Sequence, residues 1–208
     1  MNRRVLLSCL LSLAAVLAPV PVLAQTAAPA PVRVAIETTA GTILVETDPR
    51  APITAANFLR YVDGRRFDGT DFYRGMDLGE GYGLVQGGTA NARSRVLAPI
   101  AHEPTSATGL SHTDGALSMA RRDPGTATGD FFIVVGDLPS LDAGGSAPDD
   151  PGFAVFGHVV QGMDVVRRIL AAPKSPTAGE GVMRGQMLEP HIRIVSMRRV
   201  AAAATASE

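Results

Sequence analysis

Thiol chemistry is almost absent from this sequence. Its single cysteine, Cys9, lies inside an apolar run near the N-terminus. Loss of that run leaves a chain with no disulfide, no cysteine nucleophile and no cysteine-based metal site. Lysine is nearly as scarce: Lys174 is the only one, so a lysine-based mechanism has almost nothing to use. Tryptophan is missing altogether. The arginines form no basic stripe, which argues against a nucleic-acid partner. His102, His112, His158 and His191 lack metal-ligand spacing, so neither a metal nor a cofactor is expected. Gly79-Glu80-Gly81-Tyr82-Gly83 is followed by no lysine and sits in no βαβ unit, which excludes a phosphate loop. Ser111, His112 and Asp114 have the composition of a hydrolase triad. They lie too close in sequence to converge, and no nucleophile elbow is present. The acidic stretch from Asp142 to Asp150 reads as a solvated loop beside the groove rather than a calcium site.

The one long apolar run, Val5 to Leu17, comes after Asn2-Arg3-Arg4. It is short for a membrane span, and Pro19 and Pro21 interrupt the chain just beyond it. Small residues close it at Val22-Leu23-Ala24. This pattern predicts a signal peptide over residues 1–24, cleaved near Ala24, and a periplasmic protein with no stable membrane insertion after cleavage. A retained membrane anchor is the alternative. Loss of Arg3 and Arg4 takes Lys+Arg from 19 to 17 against 20 Asp+Glu, a net charge near −3.

The remainder suits one globular domain over residues 32–200. The chain has 208 residues, 46% apolar and 19% charged. Residues 25–31 read as a flexible Ala/Pro tether and 201–208 as a disordered tail. The 22 glycines and 15 prolines call for many turns, as a β-rich domain does. Val32–Glu37 and Thr42–Glu46 alternate apolar and polar residues around a turn, which predicts a hairpin. Ile53, Phe58, Leu59 and Val62 have helical spacing between Pro52 and Gly64. Short strands are predicted at 71–74, 84–86, 116–120, 131–135, 153–160 and 192–200, with an irregular segment at 92–109. A second helix spans 164–170, with Asp164 as its cap. The fold class is mainly β: a closed eight-stranded antiparallel β-barrel capped by two α-helices.

The ordered motifs Pro52-Ile53-Thr54-Ala55-Ala56-Asn57-Phe58, Phe72-Tyr73-Arg74, Gln86-Gly87-Gly88, Leu117-Ser118-Met119-Ala120, Phe131-Phe132-Ile133 and Val155-Phe156-Gly157 resemble those of cyclophilins, the cyclosporin-type peptidyl-prolyl cis–trans isomerases. The resemblance runs from about Val32 to Val200. It implies a cyclophilin-like barrel and isomerisation of Xaa-Pro bonds. It assigns Arg74 the role of catalytic cation, and Gln86 that of holding the substrate backbone or orienting the arginine. Phe132 would floor a proline slot walled by Leu84, Leu141 and Phe153. Ala120 and Arg121 would lie along the peptide groove. Phe131, next on the same strand, would point into the core.

These residues suit the chemistry. An Xaa-Pro bond is a tertiary amide whose cis form is accessible but whose rotation barrier is about 18–20 kcal/mol. A guanidinium aimed at the prolyl nitrogen favours the twisted amide, whose nitrogen has regained its lone pair, over the planar one. No bond need break, and arginine brings a permanent charge on a rigid fork.

The sequence departs from the family pattern near this centre. The link from Arg74 to Gln86 is roughly four residues longer than usual and rich in glycine. The family's pocket phenylalanine falls on Gly83, which makes Tyr82 the candidate replacement ring. The family's second glutamine falls on Asp130, an ion-pair candidate for Arg74 or Arg121. The usual tryptophan falls near Ser140. These residues leave two readings: an isomerase acting on proline-containing peptide segments of exported client proteins, or a non-catalytic proline-peptide-binding or chaperone module. A monomer is expected in either case.

Overall fold

A computed structural model describes residues 30–201; the expected signal peptide, most of the tether and most of the tail lie outside the described residues. Alternating burial builds the first hairpin. Val34 and Ile36 of β1 (Arg33–Thr38) and Ile43 and Val45 of β2 (Gly41–Thr47) are fully buried, while most of their neighbours are not. Helix α1 (Pro52–Asp63) starts on Pro52, where the missing N–H costs no helical bond. It buries Phe58, Tyr61 and Val62.

The chain then departs from the sequence reading. The glycine-rich link continues as a ladder, β3 (Thr70–Gly79) against β4 (Tyr82–Gly88), paired from Asp71↔Gly88 to Gly79↔Tyr82. Glu80 and Gly81 make the tip, both with positive φ. The segment expected to be irregular contains one helical turn, α2 (Thr105–Thr108). Strands β5 (Ala116–Met119), β6 (Asp130–Val135) and β7 (Ala154–Gln161) come next, then α3 (Met163–Ala171) and β8 (Met187–Val200). The two expected helices are thus present as α1 and α3, and α2 is a further single turn among the described residues. Asp164 does not cap α3: Gly162 precedes the helix in a left-handed conformation, and Asp164 accepts a bond from Arg168 at 2.7 Å.

The eight strands close into one antiparallel barrel in the order β1-β2-β7-β5-β6-β4-β3-β8. Phe58, Phe67, Phe72, Phe131 and Phe156 cluster in the core, with ring centroids 5.2 to 5.8 Å apart. Such tilted and edge-on pairs add to the burial of their own area. Helix α1 packs on β7 and β8, and α3 on β2, β3 and β4. Val165, Val166, Ile169 and Leu170 of α3 join the same core. Among the described residues no helix is long and apolar enough to cross a membrane.

Candidate active site

The strand register sets four residues side by side. Arg74 of β3 pairs with Gln86 of β4, Gln86 with Phe132 of β6, and Phe132 with Ser118 of β5. The two-residue period of β6 then separates its phenylalanines. Phe131 packs inward against Phe58 and Phe72, while Phe132 turns outward to a cavity of about 640 Å³. Phe132 is 3% exposed and meets Phe153 edge-on, with centroids 5.5 Å apart. Leu84, Leu141 and Ala120 also line this space.

Arg74 is half-buried at the cavity's edge. Its Nη1 donates to Gln86 Oε1 at 2.8 Å, and its Nε donates to Gln186 Oε1 at 2.8 Å. Gln86 is anchored in turn, because its Nε2 donates to the Tyr73 hydroxyl at 2.8 Å. Among the described residues Nη2 has only the thioether of Met76, at 3.6 Å. Thioether sulfur is a weak acceptor, so this nitrogen keeps most of its donor capacity. Burial pushes the Arg74 guanidinium below its ordinary value. That value lies so high that the group stays charged. Burial also drives the Tyr73 phenol well up, so it remains a neutral partner.

Several expected contacts are replaced by others. Asp130 pairs with neither arginine. Its carboxylate accepts the backbone N–H of Ala90 at 2.7 Å, and burial pushes its carboxyl above the ordinary range. Arg121 is occupied elsewhere: its guanidinium donates to the Gly152 carbonyl and lies 4.9 Å over the Phe153 ring. Asp130 and Arg121 both border the cavity without facing each other as an ion pair. Tyr82 lies outside it. A β-carbon on Gly136 would meet the Tyr82 ring, which is where that side chain packs, and Tyr82 remains 44% exposed. Met76 stands in the space where the missing ring was sought.

Behind the cavity is a polar chain that sequence spacing did not disclose. His112 Nδ1 lies 2.6 Å from Asp142 Oδ1, and its Nε2 lies 2.9 Å from Ser118 Oγ. Ser111 and Asp114 play no part; Asp114 binds Arg167 instead. Ser118 is fully buried, so the chain supports the floor rather than presenting a nucleophile. Asp142 also accepts the His112 backbone N–H at 3.0 Å, which tethers the start of the acidic loop. No group of three metal-binding side chains occurs among the described residues.

Met76, Gln186 and Met187 border this site and were not anticipated. The ladder through the glycine-rich link brings in Met76. Gln186 is 112 residues from Arg74, a separation no local pattern spans.

The fold and site together define a mainly β protein: a closed antiparallel barrel bearing an apolar slot beside a braced arginine. Comparison with known proteins narrows this class. Residues 33–199 match the family described as cyclophilin type peptidyl-prolyl cis-trans isomerase/CLD. A peptidyl-prolyl cis-trans isomerase of Acinetobacter baylyi is 40% identical over 147 residues, covering 68% of this chain and 73% of its own. The peptidyl-prolyl cis-trans isomerase B of Escherichia coli is 38% identical over 141 residues, covering 65% and 82%. A cyclophilin-type isomerase crystal structure from Cryptosporidium parvum shares the fold, with a TM-score of 0.66 at 19% identity over 83% of this chain and 99% of its own. The chain belongs to the cyclophilin-type peptidyl-prolyl cis-trans isomerase family and is an isomerase of that type.

Proposed function

We propose that this chain isomerises Xaa-Pro bonds in exported client proteins, with Arg74 as the catalytic cation. The observation that carries this reading is the state of the Arg74 guanidinium. Two of its nitrogens are held by glutamine amides, and the third meets only the weak Met76 thioether beside an apolar slot floored by Phe132. The proline ring enters the slot, where Leu84, Leu141 and Phe153 remove it from water. Nη2 then meets the prolyl nitrogen as it pyramidalises. The planar amide offers that nitrogen no lone pair, so the bond strengthens only on twisting. Gln86 keeps Arg74 oriented, and Ala120, Arg121 and Asp130 border the groove along which the peptide backbone runs.

A binding module without turnover would have the same slot but no use for an oriented cation. A protease-coupled proline-peptide assay separates the two readings. Wild type is expected to accelerate isomerisation and Arg74→Ala to lose most of that rate. Equal rates for both would sink the role of Arg74, and peptide binding without turnover by wild type would favour the binding module. Export to the periplasm completes the proposal, supported by the leader pattern of residues 1–24. Cell fractionation with N-terminal sequencing tests it, with a mature chain beginning near Gln25 as the expected result.

A further inference from the structure

Gln186 immediately precedes β8 and does not belong to the row formed by Arg74, Gln86 and Phe132. Its amide is nevertheless fixed at both ends. Oε1 accepts the Nε–H of Arg74 at 2.8 Å, and Nε2 donates to the Val182 carbonyl at 2.9 Å. Its backbone is fixed as well: its N–H reaches the Met183 carbonyl at 3.1 Å, and its carbonyl accepts the Gly75 N–H at 2.9 Å. The amide orientation is dictated by the partners, since Nε of arginine only donates and a carbonyl only accepts. Gln86 is fixed by the same logic, between Arg74 Nη1 and the Tyr73 hydroxyl.

A guanidinium bonded at one nitrogen can still turn about its side-chain torsions. Bonds at two different nitrogens, from anchored partners on separate segments, fix both its plane and its position. We infer that Gln186 is a positioning residue for Arg74: it holds the guanidinium plane so that Nη2 faces the slot before substrate arrives. The inference rests on the reading of Arg74 as the catalytic cation. The ordering of a long side chain is then complete in the free enzyme, and its cost does not recur in each turnover. The effect belongs in kcat, because the planar ground-state amide gains little from the cation whichever way it points.

The test compares Gln186→Leu, which keeps side-chain bulk but bonds nothing, with Gln186→Glu, which keeps an acceptor for Nε–H. Kinetics in the proline-peptide assay are read beside Tm and the NMR signal of the Arg74 Nε–H proton. Gln186→Leu is expected to lower kcat roughly tenfold with KM nearly unchanged, the scale of one charge-assisted hydrogen bond. The Nε–H signal should lose its protection from solvent exchange. Gln186→Glu should restore the signal and part of kcat. Wild-type kcat in Gln186→Leu overturns the inference. So does a loss carried by KM, or one that parallels a fall in Tm and that Gln186→Glu fails to relieve. If wild type itself turns over no proline peptide, the isomerase role of Arg74 fails separately. The Nε–H signal still decides whether Gln186 fixes the guanidinium, and an unchanged signal in Gln186→Leu overturns that too.

Discussion

The Phe132 ring lies flat against His112, with centroids 5.9 Å apart and planes 12° from parallel. The floor of the slot thus rests on an imidazole, and the imidazole on Asp142 and Ser118. Burial pushes the His112 imidazole below its ordinary 6.5, with Asp142 opposing. In the unfolded chain the same group takes up a proton near 6.5, while the folded chain resists doing so to lower pH. Stability is therefore full above pH 6.5 and lost as pH falls below it. Thermal denaturation between about pH 5 and 8 should show this decline in wild type. In His112→Asn the decline over that window should be smaller, and an equal slope in both proteins would remove His112 as its cause.

Truncation of the floor itself should act on both stability and activity. Phe132→Ala removes a ring that is 3% exposed and packed against His112 and Phe153. A loss of about 3–5 kcal/mol in denaturant unfolding is expected. The proline slot would lose its base, so KM should rise in the proline-peptide assay at temperatures where the variant remains folded.

Arg74→Lys should not rescue the site. An ammonium on a flexible stem has no planar fork to satisfy Gln86 and Gln186 together while presenting a third donor. A fall in kcat/KM of roughly 100-fold is expected, comparable to loss of a preorganised donor elsewhere. Retention of wild-type rate would mean that charge alone suffices.

The pocket phenylalanine that resemblance assigns to position 83 should be unable to return. A β-carbon on Gly83 would run into the Met76 carbonyl oxygen and lie 3.2 Å from Leu170 Cδ2. Gly83→Ala is expected to cost about 1–3 kcal/mol and Gly83→Phe more, each by unfolding measurement. Gly83→Phe should show no gain in kcat/KM.

Asp130 offers a prediction of opposite pH sense to His112. Burial raises its carboxyl above the ordinary 3.8, and the Ala90 N–H opposes this only in part. The folded chain holds the proton to higher pH than the unfolded chain, so this contribution to stability is lost as pH rises through that window. Asp130→Asn keeps the oxygen that accepts from Ala90. It should melt above wild type at about pH 7, with the difference shrinking toward about pH 4.

The parts of the site that strand periodicity controls were legible in the sequence. Phe131 and Phe132 are adjacent on one strand, so one had to face the core and the other the groove. Ordered motifs singled out Arg74 and Gln86 as candidates, and the hairpin register sets the two opposite each other. What was hidden depends on contacts between segments far apart in the chain. Asp130 was expected to seek an arginine, but a turn N–H forty residues away reaches it first. Tyr82 was expected in the slot, yet the ladder through the glycine-rich link directs it onto Gly136 and brings Met76 inward. Gln186 and Asp142 act through single long-range bonds, which leave no periodic trace in composition.

Arg74, Gln86, Phe132 and Ser118 stand on four adjacent strands of a cylinder that has no free edge. To shift any one of them means shearing a ladder on both sides at once. The floor of the slot is in this sense a stiff mould, and on the proposed function the shape changes of an encounter would fall on the incoming chain. Segments already locked in compact structure cannot make those changes. On the proposed function, proline sites in slack or extended stretches would suit the slot better than sites held in compact structure.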